Sequence, residues 1–492
     1  MIRLYAYDSQ TFYEGAKWEL EQYLYPHLRL EDKNSYWRER FLLKKFAYFK
    51  GVKDDQKRAE KIESIREQTR YIKFYDGRTK SFLTGLLPRV TKALREGKIK
   101  FSCVDRRSKV RYEFSRIKRF NFRDMVETRP EQLLAVNQAL RHLRGILACA
   151  TNSGKTEMAA AIIAEVKPKR VLFLVHRIQL VMQTTARFIA HLNDNVCMLG
   201  CGKKEVPEDG ILVASVQTAT NLLGDAKFQR FLEKCDILFI DEFHLNKAWA
   251  CSKIAKACLA PMRFGLSGTI KKTDKAKMMH YKGMTGPIIA RVTNEELVNL
   301  GRSARPIARF IEVKARRIPK KLKYSGAYNL GIVNNEARNH EVFKEIIRHL
   351  NKNRKTLVTV SRIKHGLILK RMLEKEIDVP VEFLSGSTPV PVRNAVIHKF
   401  QNGKIPVIIA SPIFDVGVDV PEIDGWVNAA GGIGWELVLQ RLGRVLRKKK
   451  GENKVYISDF VDTHNKYLFK HSLARIEHYQ NEKIVEIKII GA

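Results

Sequence analysis

Long apolar runs are missing from this 492-residue chain, and none approaches the roughly 20 residues a helix needs to cross a bilayer. The N-terminus shows no charged-then-apolar leader pattern. Both absences point to a soluble, cytoplasmic protein with no membrane partner. Cysteine is scarce: seven residues (103, 149, 197, 201, 235, 251 and 258), an odd number, scattered along the chain. Cys197 and Cys201 have no second Cys or His pair at metal-ligand spacing, which argues against zinc, and reduced thiols fit better than a disulfide framework. Acidic residues are the third deficit. Fifty-two Asp and Glu face ninety Lys and Arg, a net charge of +38. So large an excess repels itself unless a polyanion meets it, so nucleic acid is the expected partner. The hydrophobic fraction of 45% is ordinary, so the chain builds cores rather than staying disordered. Its length suggests about three domains.

The first 120 residues hold 30 Lys and Arg, 16 Asp and Glu, and 21 of the 45 aromatic residues. Basic side chains interleaved with rings suit phosphate contact plus base stacking, although for any single ring a place in a small α+β core is the simpler reading. Ser35–Gly51 and Arg70–Phe82 alternate polar with apolar residues, as strands do. Asp76-Gly77-Arg78 reads as a hairpin turn, and Leu86–Glu96 has helical spacing. Lys92–Arg119, the densest basic segment, is expected near incoming nucleic acid.

The chemistry begins at Cys149-Ala150-Thr151-Asn152-Ser153-Gly154-Lys155-Thr156. An apolar run (Gly145–Ala148) precedes it and a helical one (Glu157–Ala164) follows. Strand, tight loop and helix in that order make a phosphate cradle. The N–H groups of Thr151, Asn152, Ser153 and Gly154 and the helix N-terminus face the anion; Lys155 reaches the terminal phosphates and the Thr156 hydroxyl can hold Mg²⁺. Cys149 stands where the usual pattern has its first glycine. Alone, a Gly-Lys-Thr turn is common, so the neighbouring segments decide.

Upstream, Arg129-Pro130-Glu131-Gln132 opens a helix, and Gln132 can read an adenine edge through its paired donor and acceptor. Downstream come four apolar strands of the kind buried in a parallel sheet: Val171–Val175, Ile211–Ser215, Asp236–Ile240 and Arg263–Leu266. Their ends carry His176-Arg177, Gln217-Thr218, Asp241-Glu242-Phe243-His244 and Ser267-Gly268-Thr269, and ligands of open α/β sheets sit beyond such ends. Two adjacent acids are poor choices for a strand core. A division of labour explains them: Asp241 can hold Mg²⁺, while Glu242 can orient and deprotonate the attacking water.

The α/β alternation then repeats without a second phosphate loop. Apolar runs lie at Thr356–Val360, Val381–Leu384, Val407–Ala410, Trp426–Ala429 and Lys454–Ser458. Polar or glycine signatures follow three of them: Ser361-Arg362, Ser385 to Thr388, and Gly417 to Pro421. Ile318–Tyr324 reads as an inter-lobe connection or an exposed insertion. In Gln440-Arg441-Leu442-Gly443-Arg444-Val445-Leu446-Arg447, Arg444 and Arg447 share one helix face. They can supply guanidinium groups to a nucleotide on the first lobe; binding of backbone phosphate is the alternative.

In order, RPEQ, TNSGKT, VHRIQLVMQ, SVQT, DEFH, LSGT, TVSR, DVGVDVP and QRLGRVLR, spanning 129 to 447, resemble the motif set of superfamily 2 helicases. Within that superfamily the chain is similar to the phage UvsW-type branched-DNA helicases, which are akin to RecG and the restriction-enzyme motors. FYDGRTKSFLTGLL and the ending ISDFVD with HSLARIEHYQNE add to that likeness. The resemblance implies an α/β fold of two tandem RecA-like parallel-sheet lobes (121–305 and 306–492) after a small α+β N-terminal DNA-binding domain (1–120). It implies ATP and Mg²⁺ as cofactors, with Arg129 and Gln132 at the adenine, Lys155, Thr156 and Asp241 at phosphate and metal, and Glu242 as hydrolytic base. Gly417, Asp419, Gln440, Arg444 and Arg447 would close the site from the second lobe. His176, Arg177, Gln217, Thr218, Arg362 and Thr388 would line the strand-binding face. The implied activity is ATP-driven unwinding or branch migration of branched DNA by a monomer. A duplex translocase, an RNA-directed motor and a binding protein with a dead motor are the rivals.

Overall fold

The computed structural model describes residues 1–32, 62–66, 69–110, 112–124, 127–192, 195–200, 205–242, 248–268, 274–319, 322–411, 423–432, 451–482 and 484–490, with 35, 36, 39, 40, 42, 202 and 446. The chain divides into two compact units, Met1–Ala148 with Thr156–Arg291, and Cys149–Lys155 with Val292–Ala492.

The first unit opens with seven short strands: β1 (Ile2–Ala6), β2 (Gln10–Glu14), β3 (Arg29–Glu31), β4 (Tyr71–Lys73), β5 (Tyr75–Asp76), β6 (Ser81–Leu83) and β7 (Phe101–Asp105). Five of them form a sheet in the order β5-β6-β2-β1-β7, and β3 pairs with β4 in a separate ribbon. Alternation along β1 sets its faces. Ile2, Leu4 and Ala6 are fully buried; Ile2 and Leu4 pack with Tyr13, Phe82 and the helix Leu87–Glu96, whereas Arg3 and Tyr5 point the other way.

The hairpin at Asp76-Gly77-Arg78 forms as its turn residues predict. Asp76 Oδ1 accepts the N–H groups of Arg78 (2.9 Å) and Thr79 (3.3 Å) between β5 and β6. Ser35–Gly51 departs from the expected strand: its described residues, 35, 36, 39, 40 and 42, are helical, and Arg40 Nη1 donates to Tyr36 Oη one turn earlier at 3.3 Å. That one-turn spacing suits a helix, whereas alternate residues of a strand would not bring Tyr36 and Arg40 together in this way. The helical turn after β6, Thr84–Leu86, docks on the motor at Gly85, where a Cβ would collide with the Lys282 carbonyl oxygen, so only glycine permits the approach. Arg144 Nη2 adds a bond to the Asp8 carbonyl at 2.8 Å.

The motor part of this unit is a seven-stranded parallel sheet of β8 (Arg144–Cys149), β9 (Arg170–Val175), β10 (Val196–Leu199), β11 (Gly210–Ser215), β12 (Ile237–Asp241), β13 (Met262–Leu266) and β14 (Ile288–Val292), ordered β10-β11-β9-β12-β13-β8-β14. The central strands are apolar throughout because both faces are covered: Leu172, Leu174, Leu238 and Ile240 pack on one side, and Phe173, Phe239 and Phe264 meet in a tilted row on the other.

The second unit repeats the plan with β15 (Arg305–Glu312), β16 (Thr356–Thr359), β17 (Val381–Leu384), β18 (Val407–Ala410), β19 (Gly425–Asn428), β20 (Lys454–Val461) and β21 (Glu486–Ile490), ordered β17-β18-β16-β19-β20-β15-β21 and parallel. Hydrophobic clusters cover both of its faces. β15 precedes Ile318–Tyr324, so that segment is an insertion within this unit and does not join the lobes. β10, β14, β15 and β21 have no counterpart among the apolar runs. Three of them are sheet edges, where burial is partial and a strand needs no continuous apolar run. Among the described residues no helix is long and apolar enough to cross a membrane.

Candidate nucleotide and nucleic-acid site

β8 ends at Cys149 and the helix Lys155–Val166 starts six residues later. The loop between them is tight. Ala150 N–H donates to the Val292 carbonyl at 2.8 Å, and Ser153 N–H to the Ala150 carbonyl at 3.1 Å. Asn152 and Gly154 take left-handed backbones, with φ of +72° and +79°. Glycine does so freely and asparagine more readily than most, and such turns aim successive N–H groups at an anion. Lys155 and Thr156 are half-buried in the first turn of a 12-residue helix, whose N-terminal dipole adds positive potential. Cys149 is fully buried, and burial pushes its thiol up to about 12 against the pull of Lys155. A neutral thiol therefore replaces the usual glycine, filling space without adding charge.

Strand register supplies the second half of the site. Asp241 on β12 pairs with Leu266 on β13, which pairs with Leu147 on β8. The acidic pair and the strand feeding the phosphate loop thus emerge level, two strand spacings or about 10 Å apart. Glu242 departs sharply from the strand line. Its φ is +43°, and Asp241 Oδ1 accepts its N–H at 2.9 Å. A left-handed glutamate costs on the order of 1–3 kcal/mol and persists only where the surroundings impose it. Beside them Ser267, fully buried, donates its N–H to the Leu147 carbonyl at 3.2 Å. His244 and Thr269 lie outside the described residues.

Arg129 is the N-cap of the helix Pro130–His142, with extended backbone, and Gln132 in its first turn is 3% exposed. Along the edge defined by Asp241, His176 (half-buried) and Arg177 (exposed) follow β9, while Gln217 (exposed) and Thr218 (half-buried) follow β11. Ser215 Oγ accepts the Thr218 N–H at 3.1 Å and lies 2.8 Å from its hydroxyl, so Thr218 is also part of a helix cap. In the second unit Arg362, exposed, and Thr388, half-buried, follow β16 and β17 at one edge. Thr388 Oγ1 accepts the Ser385 N–H at 3.0 Å and so shapes its own turn. Gly417, Asp419, Gln440, Arg444 and Arg447 lie outside the described residues.

One group of buried residues has no place in the motif pattern. Arg338 pairs with Asp462 at 2.7 Å and donates Nη1 to the Ala429 carbonyl at 2.9 Å. Arg475 pairs with Asp459 at 3.1 Å and donates Nη1 to the Gly432 carbonyl at 2.8 Å. Tyr328 Oη donates to the Ala430 carbonyl. All four charged side chains are at most 1% exposed. They grip Ala429–Gly432, the residues just before the stretch that carries Gln440, Arg444 and Arg447. The available signal was the pair of aspartates in Ser458-Asp459-Phe460-Val461-Asp462, because acids beside a buried strand demand buried cations.

Two family models match the chain: the Type III restriction enzyme res subunit over residues 125–272 and the Helicase conserved C-terminal domain over 338–449, together more than half of its length. The chain belongs to the superfamily 2 helicases. Its two parallel sheets are the tandem RecA-like lobes of such a motor, so it is an ATP-dependent nucleic-acid helicase or translocase. This helicase is 26% identical over 366 residues to the DNA 3'-5' translocase XPB2 of Sulfurisphaera tokodaii, a match covering 67% of this chain and 81% of the relative. It is 25% identical over 386 residues to the ATP-dependent DNA helicase uvsW of Enterobacteria phage T4, covering 71% and 74%. Among solved structures, a fragment of a putative HsdR subunit of a type I restriction enzyme from Vibrio vulnificus shares the fold at TM-score 0.54 and 16% identity, covering 73% of this chain and 68% of the other.

Proposed function

We propose that this helicase is a DNA motor acting on branched DNA, such as forks, four-way junctions and displacement or R-loops, as a monomer in the cytoplasm. Both curated relatives described above are named for DNA, and the net charge of +38 suits a polyanionic track. The observation that carries the chemistry is the register that sets Asp241, two strand spacings away, level with Leu147 on the strand that feeds the candidate phosphate loop.

In this reading Arg129 and Gln132 hold the adenine, the N–H groups of residues 151–154 cradle phosphate, and Lys155 neutralises its terminal charge. Thr156 and Asp241 would hold Mg²⁺, and their hard oxygen donors suit that ion. The metal, when bound, offsets charge on the phosphates. Glu242 takes the proton of the attacking water, and its strained backbone fixes where that carboxylate points. Gln440, Arg444 and Arg447, with Gly417 and Asp419, complete the site. His176, Arg177, Gln217, Thr218, Arg362 and Thr388 touch the tracked strand. The N-terminal 120 residues add a further DNA contact, with the lobes at 121–305 and 306–492.

ATP turnover measured with single-stranded, duplex, forked and four-way DNA, and with single-stranded RNA, at one stated salt concentration tests the reading. Branched DNA is expected to stimulate most; stimulation by RNA above all the DNAs would overturn it. Lys155→Ala should abolish stimulated turnover and leave DNA binding measurable. A second reading, translocation along duplex without strand separation, is favoured by the word translocase in the name of the Sulfurisphaera relative. Triplex displacement together with failure to unwind forks would select it.

A further inference from the structure

A one-sided sheet ordinarily turns polar side chains to water, because its other face already forms the core. The N-terminal sheet does so only in part: Arg3 and Glu14 face outward opposite each other, but apolar and aromatic residues hold the rest of the row. At paired positions on its outward face, Tyr5 of β1 stands directly opposite both Phe12 of β2 and Val104 of β7. Phe12 is 37% exposed and Val104 44%. Tyr7 continues the row, its ring meeting Phe12 edge-on with centroids 5.7 Å apart. Arg106 lies across both tyrosines, its guanidinium carbon 5.2 Å from the Tyr5 centroid and 5.9 Å from that of Tyr7, and its Nη1 donates to Tyr7 Oη at 2.8 Å. Arg3, the next outward residue of β1, is exposed. Nearby carboxylates are already engaged: Glu14 accepts the Tyr5 hydroxyl at 3.2 Å, and Asp105 accepts Arg107 Nε at 2.8 Å.

We infer that this face is a stacking platform for single-stranded nucleic acid, with Phe12, Tyr5, Tyr7 and the Arg106 guanidinium over the two tyrosines taking bases and Arg3 meeting the backbone. The inference rests on the proposed reading only for the class of polymer, and it names where the N-terminal region takes hold. Three observations favour this occupant over a protein surface. The rings do not serve the core, which Ile2, Leu4 and Tyr13 fill from the opposite face. A guanidinium group sits over two of them, and a planar guanidinium is itself a stacking surface for bases. The surrounding 120 residues carry 30 basic against 16 acidic groups, which complements a phosphodiester chain and would oppose most protein partners. A sheet of this kind carries two or three bases by stacking, without reading their sequence.

The experiment uses the full chain and two fluorescein-labelled probes, a short oligo(dT) and an abasic deoxyribose-phosphate strand of equal length. Phe12→Ala and Tyr5→Ala are each expected to weaken oligo(dT) binding by about five- to a hundredfold while hardly changing affinity for the abasic strand. Tyr5→Phe, which keeps the ring, should restore affinity, and an unchanged thermal midpoint checks that each variant is folded. Oligonucleotides bearing 5-iododeoxyuridine should cross-link to the peptide holding residues 2–14. Unchanged oligo(dT) affinity in both alanine variants, an equal loss on the abasic strand, or cross-links confined to other peptides would overturn the platform. A wild-type chain that binds oligo(dT) here yet hydrolyses no ATP would sink the motor reading and leave the platform standing.

Discussion

At the scale of the single residue, the proposed function concentrates its chemistry on Glu242. Replacing it with glutamine keeps its size but removes the carboxylate that the proposed function uses as the base. Glu242→Gln should bind ATP normally and lose about 10²–10⁴-fold in turnover, measured under saturating DNA. Glu242→Gly makes the complementary prediction. Glycine accepts φ of +43° without strain, so the first lobe should melt no lower, and somewhat higher, while turnover is lost. A lower melting temperature would show that the left-handed backbone is not a source of strain. Cys149 should behave as a space-filler: with its thiol pushed up to about 12 by burial, Cys149→Ala is expected to retain most ATP turnover.

Secondary elements and their contacts decide how well those residues are held. The second lobe places two arginine–aspartate pairs where water cannot reach, and each also bonds the Ala429–Gly432 backbone. Removing one partner leaves its counterpart as an uncompensated buried charge. Arg475→Leu should therefore destabilise this lobe by about 3–5 kcal/mol in urea titrations, and adding Asp459→Leu should recover part of the loss. If the single variant is neutral, the pair is not structural. The helicase family was legible in the motif strings because such motors repeat a few residue types at fixed spacings. Arg338 and Arg475 were not legible, because they lie 124 and 16 positions from their partners, and only the packing of helices Glu336–Leu350 and Lys466–Asn481 on β20 brings them there.

Across the whole molecule, charge and pH set the working range. His349 and His365 are buried, and burial reinforced by neighbouring arginines lowers both to about 3. His365 stays neutral, bonded through Nε2 to Asn339 Oδ1 at 2.9 Å. In the unfolded chain each takes a proton near pH 6.5, so the unfolded state binds more protons between pH 6.5 and about 3, and stability falls as the pH drops through that window. Each histidine should contribute about 1.4 kcal/mol per pH unit well below 6.5. Thermal melts from pH 7.5 to 4.5 should show the decline, and His365→Gln should make it shallower, leaving the share due to His349.

From the sequence alone came the class of polymer, the candidate phosphate loop and acidic pair, and the alternation of strands and helices, since each follows from composition or from spacings within one segment. The tertiary structure decided what depends on residues far apart in the chain. It set Asp241 level with Leu147, turned Glu242 left-handed, converted Ser35–Gly51 from an expected strand to helical residues where described, and put Tyr5, Phe12 and Val104 side by side on an open face. The physical reason is that chemistry restricts residue type locally, whereas register and burial are settled by contacts between strands that no local pattern encodes.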